Sequence, residues 1–331
     1  MKLRTAPLAA LTLLTLAAAS ACGSGGSGTG STAGTSSGTA AAGGSGGSGG
    51  EKVQVVAAFY PLQYAVERVG GGHVAVTNLT KPGAEPHDLE LTPQDVAKVT
   101  GAKLAVYTKG FQPAVDKAIT EQSAKGAYDV SKDADLEAHD EGAGSDHQHT
   151  PGDGHDHGST DPHFWLDPQR YAKVAKGIAA KLGELDPSRK ADYDKNAEGF
   201  AKDLTALDGE FTAGLKTCTN KNLVTSHAAF GYLGERYGLT QQAISGLSPE
   251  KEPEPARLAE IAAFAKKNNV RTIYTETLVS PTIAKTVAAE TGAQTAVLDP
   301  IEGLSDSSAG KDYLEVMRAN LATLKKGQPC P

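Results

Sequence analysis

The sequence predicts an α/β protein of two lobes, each with a mostly parallel sheet flanked by helices, joined by a single long helix. Three observations predict it. Residues 53–124 alternate strand-like and helix-like stretches, residues from 222 onward do so again, and residues 188–217 between them keep a helical period with no proline.

The first set opens with VQVVAAF at 53–59, an apolar β-branched run that reads as a strand. PLQYAVERVG follows as a helix with Pro61 in its first turn, where a missing N–H is tolerated. VAVTNLT at 74–80, TPQDVAKVTGA, LAVYT at 104–108 and the 111–124 segment continue the alternation, which calls for parallel strands joined by crossover helices. In the central stretch Ala197, Phe200, Leu204, Leu207, Phe211 and Leu215 recur at spacings of three and four, one face of a helix. At 1.5 Å per residue such a helix runs about 40 Å, long enough to form a rigid spine between two lobes. The second set reads NLVTSH at 222–227, a helix through GYLGERYG, a strand near 240–245, the helix PEPARLAEIAAFAKKNN, RTIYTE at 271–276, a further helix, AQTAVLDP, and a last helix from about Lys311.

The ends carry other information. MKLRTAPLAALTLLTLAAASAC places Lys2 and Arg4 ahead of a short apolar run that stops at small residues, as a secretory signal does, so residues 1–21 are read as removed. The ending Ala-Ser-Ala-Cys resembles the bacterial lipobox, which makes Cys22 the expected lipidation site. Residues 22–50 are nearly all Gly, Ser, Thr and Ala and have nothing apolar to bury; as a flexible tether they reach about 30 Å. The expected domains are therefore an N-terminal lobe over 51–187, a connecting helix over 188–217 and a C-terminal lobe over 218–331. With Cys22 assigned to lipid, the remaining two cysteines, Cys218 and Cys330, are free to pair in an oxidising compartment. A net charge of -7 without basic blocks argues against a nucleic-acid partner.

Six of the nine histidines fall in HDEGAGSDHQHTPGDGHDHGSTDPHFW, residues 139–165. His139, His147, His149, His155 and His157 sit among Gly, Asp, Ser and Pro with no period, so the segment 139–160 is expected to be a mobile, solvated loop. It would hold divalent cations weakly and serve as an accessory capture segment. The other site candidates stand outside it. His87 follows the strand at 74–80, His163 precedes a helix that Asp167 caps and Pro168 starts, and His227 ends a strand. Glu276 and Asp299 close strands, with Glu302 three residues further on. Ligands of open α/β sheets sit at the carboxyl ends of strands, so these groups are expected to converge on one cleft. Imidazoles with one carboxylate suit a tetrahedral zinc.

PGAEPHDLELTP, DPHFWLDP, TSHAAFGYLGERYGL, IYTETLVSPTIAKTVAAETG and LDPIEGL carry a resemblance. Over about residues 51–329 the chain resembles the metal-binding lipoproteins, or solute-binding proteins, of bacterial zinc and manganese ABC transporters. An acidic His-rich loop ahead of DPHFW is a feature of the zinc branch. The resemblance implies the cluster A-I solute-binding fold and makes His87, His163 and His227 metal ligands. It leaves the fourth ligand open among Glu302, which is favoured, an aspartate near Asp299, and water. It further implies a monomeric extracytoplasmic receptor, lipid-anchored at the cell membrane, that delivers Zn(II) as transported ligand to a cognate permease and its cytoplasmic ATPase. The third histidine favours zinc over manganese, which prefers more oxygen ligands. A receptor for manganese or another divalent metal, and a surface metal buffer or adhesin, are the alternatives. A secreted zinc hydrolase is disfavoured: no HExxH helix is present and no residue is evidently placed as a general base.

Overall fold

A computed structural model describes residues 51–121, 126–139 and 160–330. The signal segment, Cys22 and the linker to residue 50 lie outside the described residues, as do His147, His149, His155 and His157.

The first lobe contains β1 (Val53–Ala57), α1 (Tyr60–Gly70), β2 (Val74–Asn78), α2 (Pro93–Gly101), β3 (Leu104–Tyr107), α3 (Pro113–Glu121), β4 (Ala127–Asp129) and the single turn α4 (Ser131–Ala134). Then come α5 (Pro168–Leu185) and the long α6 (Lys190–Leu215). The second lobe contains β5 (Asn222–Thr225), α7 (Gly231–Tyr237), β6 (Thr240–Ala243), α8 (Pro255–Lys267), β7 (Thr272–Thr275), α9 (Thr282–Thr291), β8 (Gln294–Val297) and α10 (Tyr313–Gly327). The sheets have strand orders β2-β1-β3-β4 and β6-β5-β7-β8, with every pair parallel. The same winding is thus used twice. The order of connection reverses between β1 and β3 in one sheet and between β5 and β7 in the other, and the crevice beyond the strand ends at that reversal is where an open sheet accepts a ligand.

The 26-residue α6 buries Ala197, Phe200, Leu204, Leu207, Phe211 and Leu215, the face that the spacing predicts. It is a packed spine and not a bare rod: it lies along α5, α1 and α10. One continuous core runs through the first sheet, α5, α6, α7 and α10, while a smaller one, with Val224, Ile261, Ile273 and Val287, lies under α8 and α9. The last helix returns across the molecule, so that Tyr313 packs on Tyr171 and Tyr64 at 4.8 and 5.8 Å between ring centroids. Its end is tied to the end of α6 by the Cys218–Cys330 disulfide, which spans 112 residues. Closing a loop of that length stabilises a fold by about 5 kcal/mol in the chain-entropy account. The larger core thus runs without a break from the first sheet through the spine to α7 and α10.

Candidate metal centre

Three loops bring the histidines together. The loop after β2 carries His87, and Gln112 pins it by donating from Nε2 to Thr80 Oγ1 and to the Pro86 carbonyl, both at 3.1 Å. His163 stands ahead of a buried helical turn, Phe164–Leu166, and Asp167 caps α5 by accepting from the Gln169 N–H. Trp165 packs between Phe59 and Phe111 and donates from Nε1 to the Pro300 carbonyl at 2.7 Å, joining the two halves of the site. His227 lies just beyond β5.

Glu302 comes from the turn after β8. Ile301 before it has φ of 59°, a left-handed conformation that is strained for a β-branched residue and stores about 1–3 kcal/mol. The turn is held by Asp299: one carboxylate oxygen accepts from the Ile301 N–H at 2.8 Å and the other from Thr277 Oγ1 at 3.1 Å. Burial raises the Asp299 carboxyl to about 6 against those two donors. Both oxygens of Asp299 therefore shape the turn that aims Glu302.

Glu302 Oε1 lies 3.2 Å from His87 Nε2, 3.0 Å from His163 Nε2 and 3.2 Å from His227 Nε2, and the last two nitrogens are 3.4 Å apart. Four donors about 2.0–2.1 Å from a tetrahedral zinc stand about 3.3–3.4 Å from one another. These four spacings come within a few tenths of an ångström of that figure and all the ligand atoms lie within 4.8 Å of one another, so the four residues could hold a metal ion. Asp299 is not in this group. His163, His227 and Glu302 are buried, and His87, with 8% of its side chain exposed, marks the open side.

A carboxylate behind each of two imidazoles sets its tautomer. Asp161 Oδ1 accepts from His163 Nδ1 at 2.7 Å and from the His163 N–H at 2.9 Å. Glu276 Oε2 accepts from His227 Nδ1 at 2.7 Å, and its other oxygen accepts from the His227 N–H at 3.1 Å. Such partners direct Nε2 toward a metal and raise its basicity. Burial alone would lower the pKa of His163, but Asp161 and Glu302 outweigh it and raise it. His227 is raised well above the usual value because Glu276 and Glu302 likewise outweigh burial. For His87 burial prevails over Glu302 and the pKa falls. Burial would push the Glu302 carboxyl up, but the three imidazoles hold it well below its usual range.

Sequence reasoning missed Glu85. Its Oε2 accepts from the His87 N–H at 2.8 Å, and its Oε1, buried without a hydrogen-bond partner, lies 3.9 Å from His87 Nε2. Burial, reinforced by the Glu302 charge, raises this carboxyl to about 9, so it is a neutral acid at pH 7. The signal was present: Glu85-Pro86-His87 and Asp161-Pro162-His163 repeat one acid-Pro-His pattern, and in both the acid accepts from the histidine N–H two residues on.

His139 departs from the loop expectation. Its side chain is only 19% exposed and Nδ1 donates to Asp161 Oδ2 at 2.8 Å, so it is a fixed residue and not a solvated one.

These features define a two-lobed α/β chain whose like sheets enclose a buried three-histidine, one-carboxylate cluster. The chain belongs to the zinc-uptake complex component A periplasmic family, which it matches over residues 55–327. It is 37% identical over 278 residues to the zinc-binding lipoprotein AdcA of Streptococcus pneumoniae, covering 83% of this chain and 56% of that protein. The chain thus spans little more than half the length of that relative. It is also 37% identical over 282 residues to the high-affinity zinc uptake system protein ZnuA of Bacillus subtilis, covering 83% of this chain and 87% of that one. Among solved structures, the laminin binding protein of Streptococcus agalactiae superposes with a TM-score of 0.73 at 36% identity, over 83% of this chain and 99% of that one. The Zn(II)-bound ZnuA-like domain of Streptococcus pneumoniae AdcA does so with a TM-score of 0.67 at 35% identity, over 84% and 99%.

Proposed function

We propose that this protein is the extracytoplasmic zinc receptor of an ABC importer, binding Zn(II) through His87, His163, His227 and Glu302 and delivering it to a membrane permease driven by a cytoplasmic ATPase. The observation that carries this reading is the single carboxylate oxygen of Glu302 within 3.2 Å of three imidazole nitrogens, the spacing of a tetrahedral ligand shell. Three nitrogens against one oxygen favour zinc over manganese. The carboxylate fills the position that a hydrolytic zinc keeps open for water, which favours carriage over catalysis. Relatives named as zinc-binding lipoprotein and zinc uptake protein agree with that reading and with a lipid anchor at Cys22 holding the body at the outer face of the membrane. Among the described residues no helix is long and apolar enough to cross a membrane. The lobes are lobe-sized units on either side of α6, with boundaries near 187 and 218. Release follows when the permease moves one lobe against the other, because a tetrahedral shell tolerates little displacement.

Proton competition supplies the test. His163 and His227 have raised pKa values, because their carboxylate partners outweigh burial, so protons compete with a metal for them more strongly than for an ordinary histidine. Each displaced proton makes affinity fall about tenfold for every unit that pH drops. Calorimetric titration at pH 8, 7 and 6 is expected to show zinc affinity falling as pH falls, and falling more steeply than for a site of unperturbed histidines. Proton release should appear in buffers of different ionisation enthalpy, and manganese should bind at least about 100-fold more weakly than zinc. A flat pH profile or equal affinity for the two metals contradicts the reading.

A further inference from the structure

Two of the three histidines reach the cleft from loops that run straight into helices. Only Ala228, Ala229 and Phe230 lie between His227 and α7, and only Phe164, Trp165, Leu166 and Asp167 between His163 and α5, all of them buried. Close-packed linkers that short carry any shift of the helix to the imidazole before it. Whatever fixes α5 against α7 therefore also fixes the 3.4 Å between His163 Nε2 and His227 Nε2.

A carboxylate on the spine holds both helices. Asp208 of α6 accepts from Arg236 Nε at 2.5 Å on one oxygen and from Arg236 Nη2 at 2.7 Å on the other, a two-pronged ion pair with α7. Its Oδ1 also accepts from the Tyr237 hydroxyl at 3.0 Å, and the Tyr237 ring stacks on Phe211 of the spine. Its Oδ2 accepts from Gln169 Nε2, in the first turn of α5, at 3.3 Å. Arg236 Nε in turn lies 3.3 Å from Asp167 Oδ1, the same oxygen that caps α5. We infer that Asp208 is a positioning residue for the metal centre, clamping α5 and α7 to the spine so that His163 and His227 keep the spacing a metal ion needs. This rests on the metal centre proposed above.

A second ion pair on the same helix shows what is particular to this one. Asp203 of α6 grips Arg68 of α1 at 2.6 Å, but α1 adjoins no loop that carries a ligand, and the Asp203 side chain is 49% exposed. The Asp208 side chain is 17% exposed, and its bond to Arg236 holds its carboxyl below the usual range. A charge held in that way by several donors fixes its partners more firmly than a solvated pair does. The zinc shell is sensitive to such support, because bonded donors must stay within about 0.2 Å of their proper distances.

Zinc affinity, read as the tightest event in calorimetric titration of the full mature chain, supplies the test. Asp208→Ala is expected to weaken it at least about tenfold, and Asp208→Asn, which keeps one acceptor oxygen, at least about threefold. Asp203→Ala should leave it within about twofold. Combination with His227→Ala separates positioning from general loosening of the fold. Once that imidazole is gone there is no spacing left to hold, so adding Asp208→Ala to His227→Ala should cost no more than about twofold. Asp208→Asn carries the same comparison should the alanine variant not fold. The clamp is overturned if His227→Ala weakens zinc binding while neither substitution of Asp208 does, if Asp203→Ala matches Asp208→Ala, or if the losses in the double variant add. If His227→Ala itself changes nothing, the metal centre fails and this inference falls with it.

Discussion

Replacing His227 with alanine lowers zinc affinity by at least about 100-fold and leaves the body folded. The nitrogen removed is 3.2 Å from Glu302 Oε1 and 3.4 Å from His163 Nε2, so its loss opens one corner of the four-donor shell. No other described histidine is placed to fill that corner, since His139 is engaged with Asp161 and His73 lies beside Asp192 and Tyr193. The fold loses less. Glu276 Oε2 gives up its 2.7 Å partner while its other oxygen keeps the backbone N–H of residue 227. A buried acceptor left unsatisfied costs about 1–3 kcal/mol, a fraction of ordinary domain stability. Thermal melts with and without zinc separate the two effects. The melting point without metal should fall by a few degrees, and the rise that zinc gives the unaltered protein should be lost. An undiminished zinc response would remove His227 from the shell.

Glu302→Gln lowers zinc affinity at pH 8 by at least about tenfold and also flattens its pH dependence. The carboxylate has two roles. It supplies the only anionic donor of the cluster, and it helps raise the pKa values of His163 and His227. Removing the charge weakens the metal bond and also lets the two imidazoles lose their protons at lower pH. Proton release on binding at pH 7 is therefore smaller than in the unaltered protein, even though binding is weaker. His227→Ala cannot give this signature through the same route, because it leaves Glu302 beside His163. An affinity unchanged at pH 8 would contradict the assignment of Glu302.

The alternation of strands and helices was legible because each element carries a local signal. β1, β2 and β3 are apolar β-branched runs, Pro61, Pro168 and Pro255 stand in first turns, and α6 repeats its apolar face without interruption. β4 and α4 were not legible: three and four residues are too few for either period to declare itself. His87 and His227 could be singled out because the ends of parallel strands are where ligands bind, and His163 because it stands just ahead of the Asp167-Pro168 helix start. The different placements of Asp299 and Glu302 needed the backbone. Asp299 spends both oxygens on a turn that forces Ile301 to a φ of 59°, and nothing in the letters LDPIEGL announces that strain. Clustering in sequence misled for His139, which composition groups with its neighbours and packing does not. The pairing of Cys218 with Cys330 followed from counting once Cys22 was set aside, and the structure joins them.

The most direct test is a crystal structure of the zinc-loaded protein with anomalous data collected on both sides of the zinc absorption edge. The cleft should show one strong peak that vanishes below the edge, about 2.0–2.2 Å from Nε2 of His87, His163 and His227 and from Oε1 of Glu302. A cleft peak lacking any of these four, or one in which Asp299 or water stands in place of Glu302, would contradict the account.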